Sequence, residues 1–280
     1  MAWHLTDSAD EFWSVAGEFL RARPVENSLL LTLTDTLRTR DLHYYGADDP
    51  LFGWFESAGA VRGACLQTPP HALIIAGAPP AEAVAELATL LADRPLPGVN
   101  ARTVDSEAFV AAWQRLTGAT AVLGKQTRLF RLDVLTPPSP LPPGTARVAT
   151  VADRGLLVAW LAAFHRDLGD HIGDPARTAD DRLSYGGLTL WEVRGEPVSL
   201  SGATRPESGV VRIAPVYTPS GLRGRGYAAA ATSVVTQAAL DAGADDVVLF
   251  TDMANPTSNG LYMRLGYRPI EERVVMEFKP

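Results

Sequence analysis

Apolar residues recur along this chain with two different periods, and the changes of period mark out its elements. Leu29, Leu30, Leu33 and Leu37 fall on one face of a helix predicted over 24–39, which Pro24 can open because a first-turn proline loses no hydrogen bond. A helix over 8–22 precedes it, with Ser8 placed to cap it. Short apolar runs separated by Gly or Pro then read as strands: Leu51–Glu56, Val61–Gln67 and Ala72–Ala76. An Ala- and Leu-rich helix over 80–92, an extended segment near Val99, a helix over 105–116 and a strand pair across 120–134 follow.

Residues Thr136–Gly144 hold five prolines in nine positions, a composition that removes backbone donors and stiffens the chain. This stretch predicts a linker over 136–145, with one domain over 1–135 and another over 146–280. In the second domain a helix spans Val151–Leu168, and a further segment, Asp180–Tyr185, follows a polar loop. Leu188–Val193 and Pro197–Ala203 form a hairpin turned by Gly195, and Val210–Thr218 is a longer strand. A glycine-rich turn, a helix over 226–242 and the β-branched run Val247–Thr251 come next. Asn255 and Pro256 start a helix that Gly266 stops, and Tyr267–Ile270 and Val274–Phe278 read as two last strands.

Both halves thus share one order, αα-βββ-α-β-α-ββ, which predicts an α/β fold with a mixed sheet in two tandem units. Short similarities support a duplication. Trp54-Phe55-Glu56 through Val61 resembles Trp191-Glu192-Val193 through Val198, and Trp113–Gly118 resembles Tyr262–Gly266.

A hydrophobic share of 46%, a charged share of 20% and a length of 280 residues describe a chain able to build real cores. The net charge of −7 argues against a general nucleic-acid or anionic-membrane footprint. No uninterrupted apolar run approaches the length of a membrane span and no leader pattern is present, so the expected location is the cytoplasm. The one cysteine, Cys65, has no intrachain partner and reads as a small buried hydrophobe.

The strongest chemical signal is Arg223-Gly224-Arg225-Gly226-Tyr227-Ala228, between an apolar strand and an Ala-rich helix. Glycines let backbone N–H groups approach an anion, the helix start adds free donors and a positive dipole end, and two arginines add charge. No Gly-Lys-Ser/Thr follows, so this is not a Walker loop, and the third small residue of a dinucleotide fingerprint is wrongly spaced.

The run Arg212–Ala228 closely resembles the acyl-CoA signature of the GNAT acetyltransferase superfamily, a strand leading into Arg/Gln-x-x-Gly-x-Gly/Ala. Asn255 through Tyr262 and Leu265-Gly266-Tyr267 resembles the same superfamily's later motif. The resemblance covers about 146–280. It implies an N-acyltransferase moving an acetyl group from acetyl-CoA to a primary amine, the acceptor being a small molecule or a peptide. It implies main-chain contacts to the pantetheine arm from Val216 and Thr218, a pyrophosphate site at Arg223, Gly224, Arg225, Gly226 and Ala228, and a cofactor or substrate contact from Asn255. By the same resemblance Tyr262 is the general acid that protonates the departing thiolate.

The sequence departs from the family at Arg212, where many relatives carry Glu. Glu192 is therefore a candidate base, alongside His165, Asp167, Asp170, His171 and Asp174 in and after the first helix of that half. The missing carboxylate also leaves open an alternative, a non-catalytic acyl-CoA-binding or regulatory protein. The first half lacks the phosphate turn: after Ala72–Ala76 come Gly77-Ala78-Pro79-Pro80 and a helix with Glu82 and Glu86, so it is expected to bind no acyl-CoA.

Overall fold

A computed structural model describes residues 1–169 and 173–279. The fold is mixed α/β, and the chain divides into two compact units. Unit 1 comprises Met1–Leu129, Asp252–Ala254 and Glu271–Pro280; unit 2 comprises Phe130–Thr251 and Asn255–Ile270.

Unit 1 begins with β1 (Ala2–Thr6), α1 (Ala9–Arg21) and α2 (Ser28–Thr39). The Ser8 hydroxyl accepts from the Glu11 N–H at 3.2 Å, satisfying one of the donors a helix start leaves free. Strands β2 (Leu51–Ser57), β3 (Ala60–Gln67) and β4 (Leu73–Gly77) form an antiparallel meander, and α3 (Ala81–Leu90) carries the chain over to β5 (Gly98–Arg102), parallel to β4. Helix α4 (Thr103–Thr117) ends at Gly118, whose φ of +72° suits a residue without a Cβ. Two apolar clusters close on the sheet. Phe12, Leu20, Leu31 and Phe52 belong to one, and Phe55, Cys65, Ile75, Leu87 and Phe109 to the other, all essentially excluded from water. Each such Leu, Ile or Phe side chain contributes about 1.5–3 kcal/mol.

A single strand, β6 (Thr120–Leu132), stands where a pair was expected across 120–134. Unit 2 then contains β7 (Thr145–Val148), a short 3₁₀ turn at Val151–Asp153, α5 (Arg154–Leu168), α6 (Pro175–Leu183), β8 (Leu188–Val193), β9 (Glu196–Ala203) and β10 (Val210–Tyr217). Helix α7 (Tyr227–Asp241) leads to β11 (Asp246–Asp252), parallel to β10, and α8 (Pro256–Arg264) follows. One strand, β12 (Tyr267–Lys279), replaces the two expected at the end. Its portion Arg273–Glu277 pairs antiparallel with β5 in unit 1.

The order of pairing repeats. In unit 1 it runs β1-β2-β3-β4-β5, and in unit 2 β7-β8-β9-β10-β11, each with its one parallel pair in last place. The hairpins β2–β3 and β8–β9 match in detail. Both turn through two residues of positive φ, Ala58-Gly59 and Arg194-Gly195, and both shift register at the glutamate, between Phe55 and Glu56 and between Trp191 and Glu192. No helix among the described residues is long and apolar enough to cross a membrane.

Candidate functional site

The site in unit 2 starts from a fork. Strand β10 pairs with β11 over Val210–Arg212, and beyond Arg212 this ladder stops. On its other edge β10 shifts register against β9 between Ile213 and Val216, and Val216 and Tyr217 pair with Ser201 and Leu200. A parallel pair that separates in this way exposes backbone groups with no strand opposite them, and such groups need a partner. Val216 lies in the stretch of β10 that has no β11 residue opposite it, its pairing being with β9 alone. Thr218 follows it, its hydroxyl 2.8 Å from that of Ser199, which also donates to the Tyr217 carbonyl at 3.1 Å. Ser199 was not legible as a site residue. Its signal is a fully buried serine among apolar positions of β9.

The fork opens beside the glycine turn. Gly224 and Gly226 have φ of +77° and +82°, and Gly226 is the cap of α7. A Cβ at Gly224 would meet nothing within 4 Å, and one at Gly226 would touch Pro142 at 3.7 Å, so backbone conformation rather than crowding requires glycine here. The first α7 amide to find a helical acceptor is that of Ala230, bound to the Gly226 carbonyl at 3.1 Å. The N–H groups of Tyr227, Ala228 and Ala229 therefore have no acceptor within the helix and carry its positive end. Arg223 and Arg225 flank this array, both exposed. Arg223 donates from Nε to the Thr218 carbonyl at 2.9 Å and pairs with Asp167, while Arg225 reaches the Gly221 carbonyl at 3.2 Å. Free N–H groups, a helix start and two cations suit a pyrophosphate, so the residues present fit an acyl-CoA.

Tyr262 comes to the same region from α8. It is buried in a cluster that includes Ile213 and Leu249, with Val216 packed against it, and its ring meets Tyr267 edge-on at 6.1 Å. Burial pushes its hydroxyl pKa well above the ordinary tyrosine value, so the phenol keeps its proton throughout the neutral range. Asn255 acts as the α8 cap, its Oδ1 accepting from the Ser258 N–H at 3.0 Å.

The base candidates are dispersed. Glu192 does not stand free: Arg147 holds its carboxylate at 2.7 Å and pairs through Nη1 and Nη2 with Asp153. The same guanidinium holds the Asp153 carboxyl far below the usual carboxylate range. Asp167 is the partner of Arg223, and Asp174 caps α6 through the N–H groups of Ala176 and Arg177. His165 lies in the last turn of α5, edge-on to Phe164. Asp170 and His171 lie outside the described residues.

Unit 1 has the corresponding fork with a different filling. Strands β4 and β5 pair over Leu73 and Ile74, opposite Val99 and Asn100. Beyond that point Arg273 of β12 bridges the strands, its Nη2 donating to the carbonyls of Ile75 at 2.7 Å and Asn100 at 2.9 Å. Its Nε reaches Asn100 Oδ1 and its Nη1 pairs with Glu271. No alternating glycine turn follows β4. Gly77 meets the Arg62 carbonyl and Phe19 at 2.7 Å from an ideal Cβ, and the cap of α3 is Pro80.

Comparisons with known proteins agree with this geometry. Residues 156–267 match the model of the Acetyltransferase (GNAT) family. No curated protein matches the chain. Among solved structures, a GCN5-related N-acetyltransferase from Sphaerobacter thermophilus superposes with a TM-score of 0.63 at 17% identity, covering 99% of this chain and 95% of its own. A GNAT-family acetyltransferase from Colwellia psychrerythraea gives 0.62 at 14% identity, over 100% of both chains. A tandem GNAT protein from the clavulanic acid biosynthesis pathway gives 0.56 at 11% identity, over 99% and 98%. At these identities the likeness is one of fold. The chain therefore carries a GNAT-family domain at residues 156–267 within a fold of two GNAT-like halves.

Proposed function

We propose that unit 2 is an N-acyltransferase that transfers an acetyl group from acetyl-CoA to a primary amine within a ternary complex. The observation that carries this reading is the fork between β10 and β11 opening onto the glycine turn and the free N–H groups of α7. Acetyl-CoA, when bound, supplies an activated acetyl thioester and a thiolate leaving group. Residues Arg223, Gly224, Arg225, Gly226 and Ala228 hold the pyrophosphate, and Val216 and Thr218 offer main-chain groups to the pantetheine amides. Asn255 keeps its amide nitrogen available to cofactor or acceptor while its Oδ1 caps α8.

In the reaction an N–C bond forms, the C–S bond breaks, the amine loses a proton to solvent, and the Tyr262 hydroxyl delivers its proton to sulfur and is reprotonated from solvent. Burial keeps the phenol in the protonated form that a proton donor must have. Glu192, tied to Arg147, serves the structure of the β7–β8 edge rather than the proton transfer.

The test is release of free thiol from acetyl-CoA with a panel of amino acids, polyamines and N-terminal peptides. Turnover on at least one amine supports the proposal. Tight CoA binding with no turnover on any of them overturns it in favour of a non-catalytic acyl-CoA-binding protein.

A further inference from the structure

Unit 1 contains a cavity of about 430 Å³ between the α1–α2 segment and strands β2–β4, with Arg102, Glu271 and Arg273 on its remaining wall. Its lining carries four arginines, at 23, 62, 102 and 273, against two glutamates, Glu26 and Glu271. Two of the cations are already satisfied. Arg102 is bidentate to Asp105 at 2.7 and 3.0 Å, and Arg273 is spent on Ile75, Asn100 and Glu271. Arg23 and Arg62 are exposed at the cavity and have no side-chain hydrogen bond or ion pair among the described residues. The lining also includes the apolar side chains of Phe19, Phe55 and Val61.

We infer that this cavity binds a small organic carboxylate, with its oxygens on Arg23 and Arg62 and its apolar body against Phe19 and Phe55. Guanidinium groups match a carboxylate in planar, two-pronged geometry, and a cleft with an excess of one charge concentrates the opposite one. The buried Arg273, paired with Glu271, bars the β4–β5 fork to an extended chain, because the backbone carbonyls such a chain would use are already bonded. A compact anion fits what remains. This site shares no residue with the acetyl-transfer site proposed in unit 2, so the two are separable.

The experiment titrates phenylacetate, its neutral analogue 2-phenylethanol, inorganic phosphate and acetyl-CoA by calorimetry into the full chain and into Arg23→Gln/Arg62→Gln. Saturable binding of one phenylacetate per chain is expected, at least tenfold weaker in the double variant, with 2-phenylethanol and phosphate both weaker than phenylacetate. Acetyl-CoA should not displace phenylacetate, and its own affinity should be the same in both proteins. The inference fails if phenylacetate shows no saturable binding or binds the double variant equally well. It fails also if phosphate binds as tightly, or if acetyl-CoA competes. Circular dichroism and Tm of the double variant check that a loss of binding is not a loss of fold.

Discussion

The hydroxyl of Thr251 lies 2.6 Å from Oδ1 of Asn259, and both residues are buried. Asn259 in turn donates from Nδ2 to the Asn255 carbonyl at 2.7 Å, so the end of β11 is tied to the helix that carries Tyr262 one turn further on. Replacing Asn259 by Leu leaves the Thr251 hydroxyl buried without its partner, which costs about 1–3 kcal/mol. Urea unfolding should show that loss, and kcat should fall as the Tyr262 ring shifts. Adding Thr251→Val, which removes the orphaned group, should recover part of the stability.

At Gly226, φ of +82° is a conformation that β-branched residues adopt only under strain. Gly226→Val should lower stability by about 1–3 kcal/mol. The variant also distorts the turn proposed to hold the pyrophosphate, so CoA affinity should fall at least about tenfold, a penalty of about 1.4 kcal/mol. Calorimetry on the folded variant decides the matter, and unchanged affinity refutes the pyrophosphate assignment.

Tyr262→Phe keeps the ring in its cluster and removes the proton donor. General acid catalysis contributes about 10²–10⁴-fold, and kcat should drop on that scale while CoA affinity holds. Because the native phenol titrates above the ordinary value of about 10, no basic limb from this group should appear in the wild-type kcat profile below that pH.

Asp153 gives a pH dependence of definite sign. Its folded pKa lies below the unfolded value of about 3.9, so its contribution is present above that pH and is lost as the pH falls through the acid range. Urea midpoints from pH 6 to 3 should decline, and Asp153→Asn should start lower and decline less, since Arg147 then keeps only Glu192.

Arg273→Met removes the partner of two buried carbonyls and of Glu271. Breaking a buried pair from one side costs about 3–5 kcal/mol, and unfolding should show a loss of that size. A change under about 1 kcal/mol would mean that water replaces the guanidinium at little cost.

How far these features could be read in advance depended on whether their causes were local. The positive φ at Gly224 and Gly226, and the Asn255 cap, follow from neighbouring residues and were legible. Strands β1 and β7 were missed, being short and partly polar, and β7 holds Arg147 in register opposite Leu190, which brings it to Glu192. Without β7, Glu192 read as an unattached carboxylate. Arg273 falls between the two strands expected at the end of the chain and was not singled out, because only pairing with β5, remote in sequence, takes it into the β4–β5 fork. The paired short strands expected at 120–134 and 267–278 were each one long strand, since neither polar interruption makes a turn.

The placement of Glu271–Lys279 in unit 1 has a consequence for biosynthesis. Some 140 residues of unit 2 sequence leave the ribosome between β6 and this segment, and until it emerges β5 lacks an antiparallel neighbour and the carbonyls of Ile75 and Asn100 lack their donor. The first-made half is therefore among the last to be completed. During translation it presents an open sheet edge of the kind that chaperones shield.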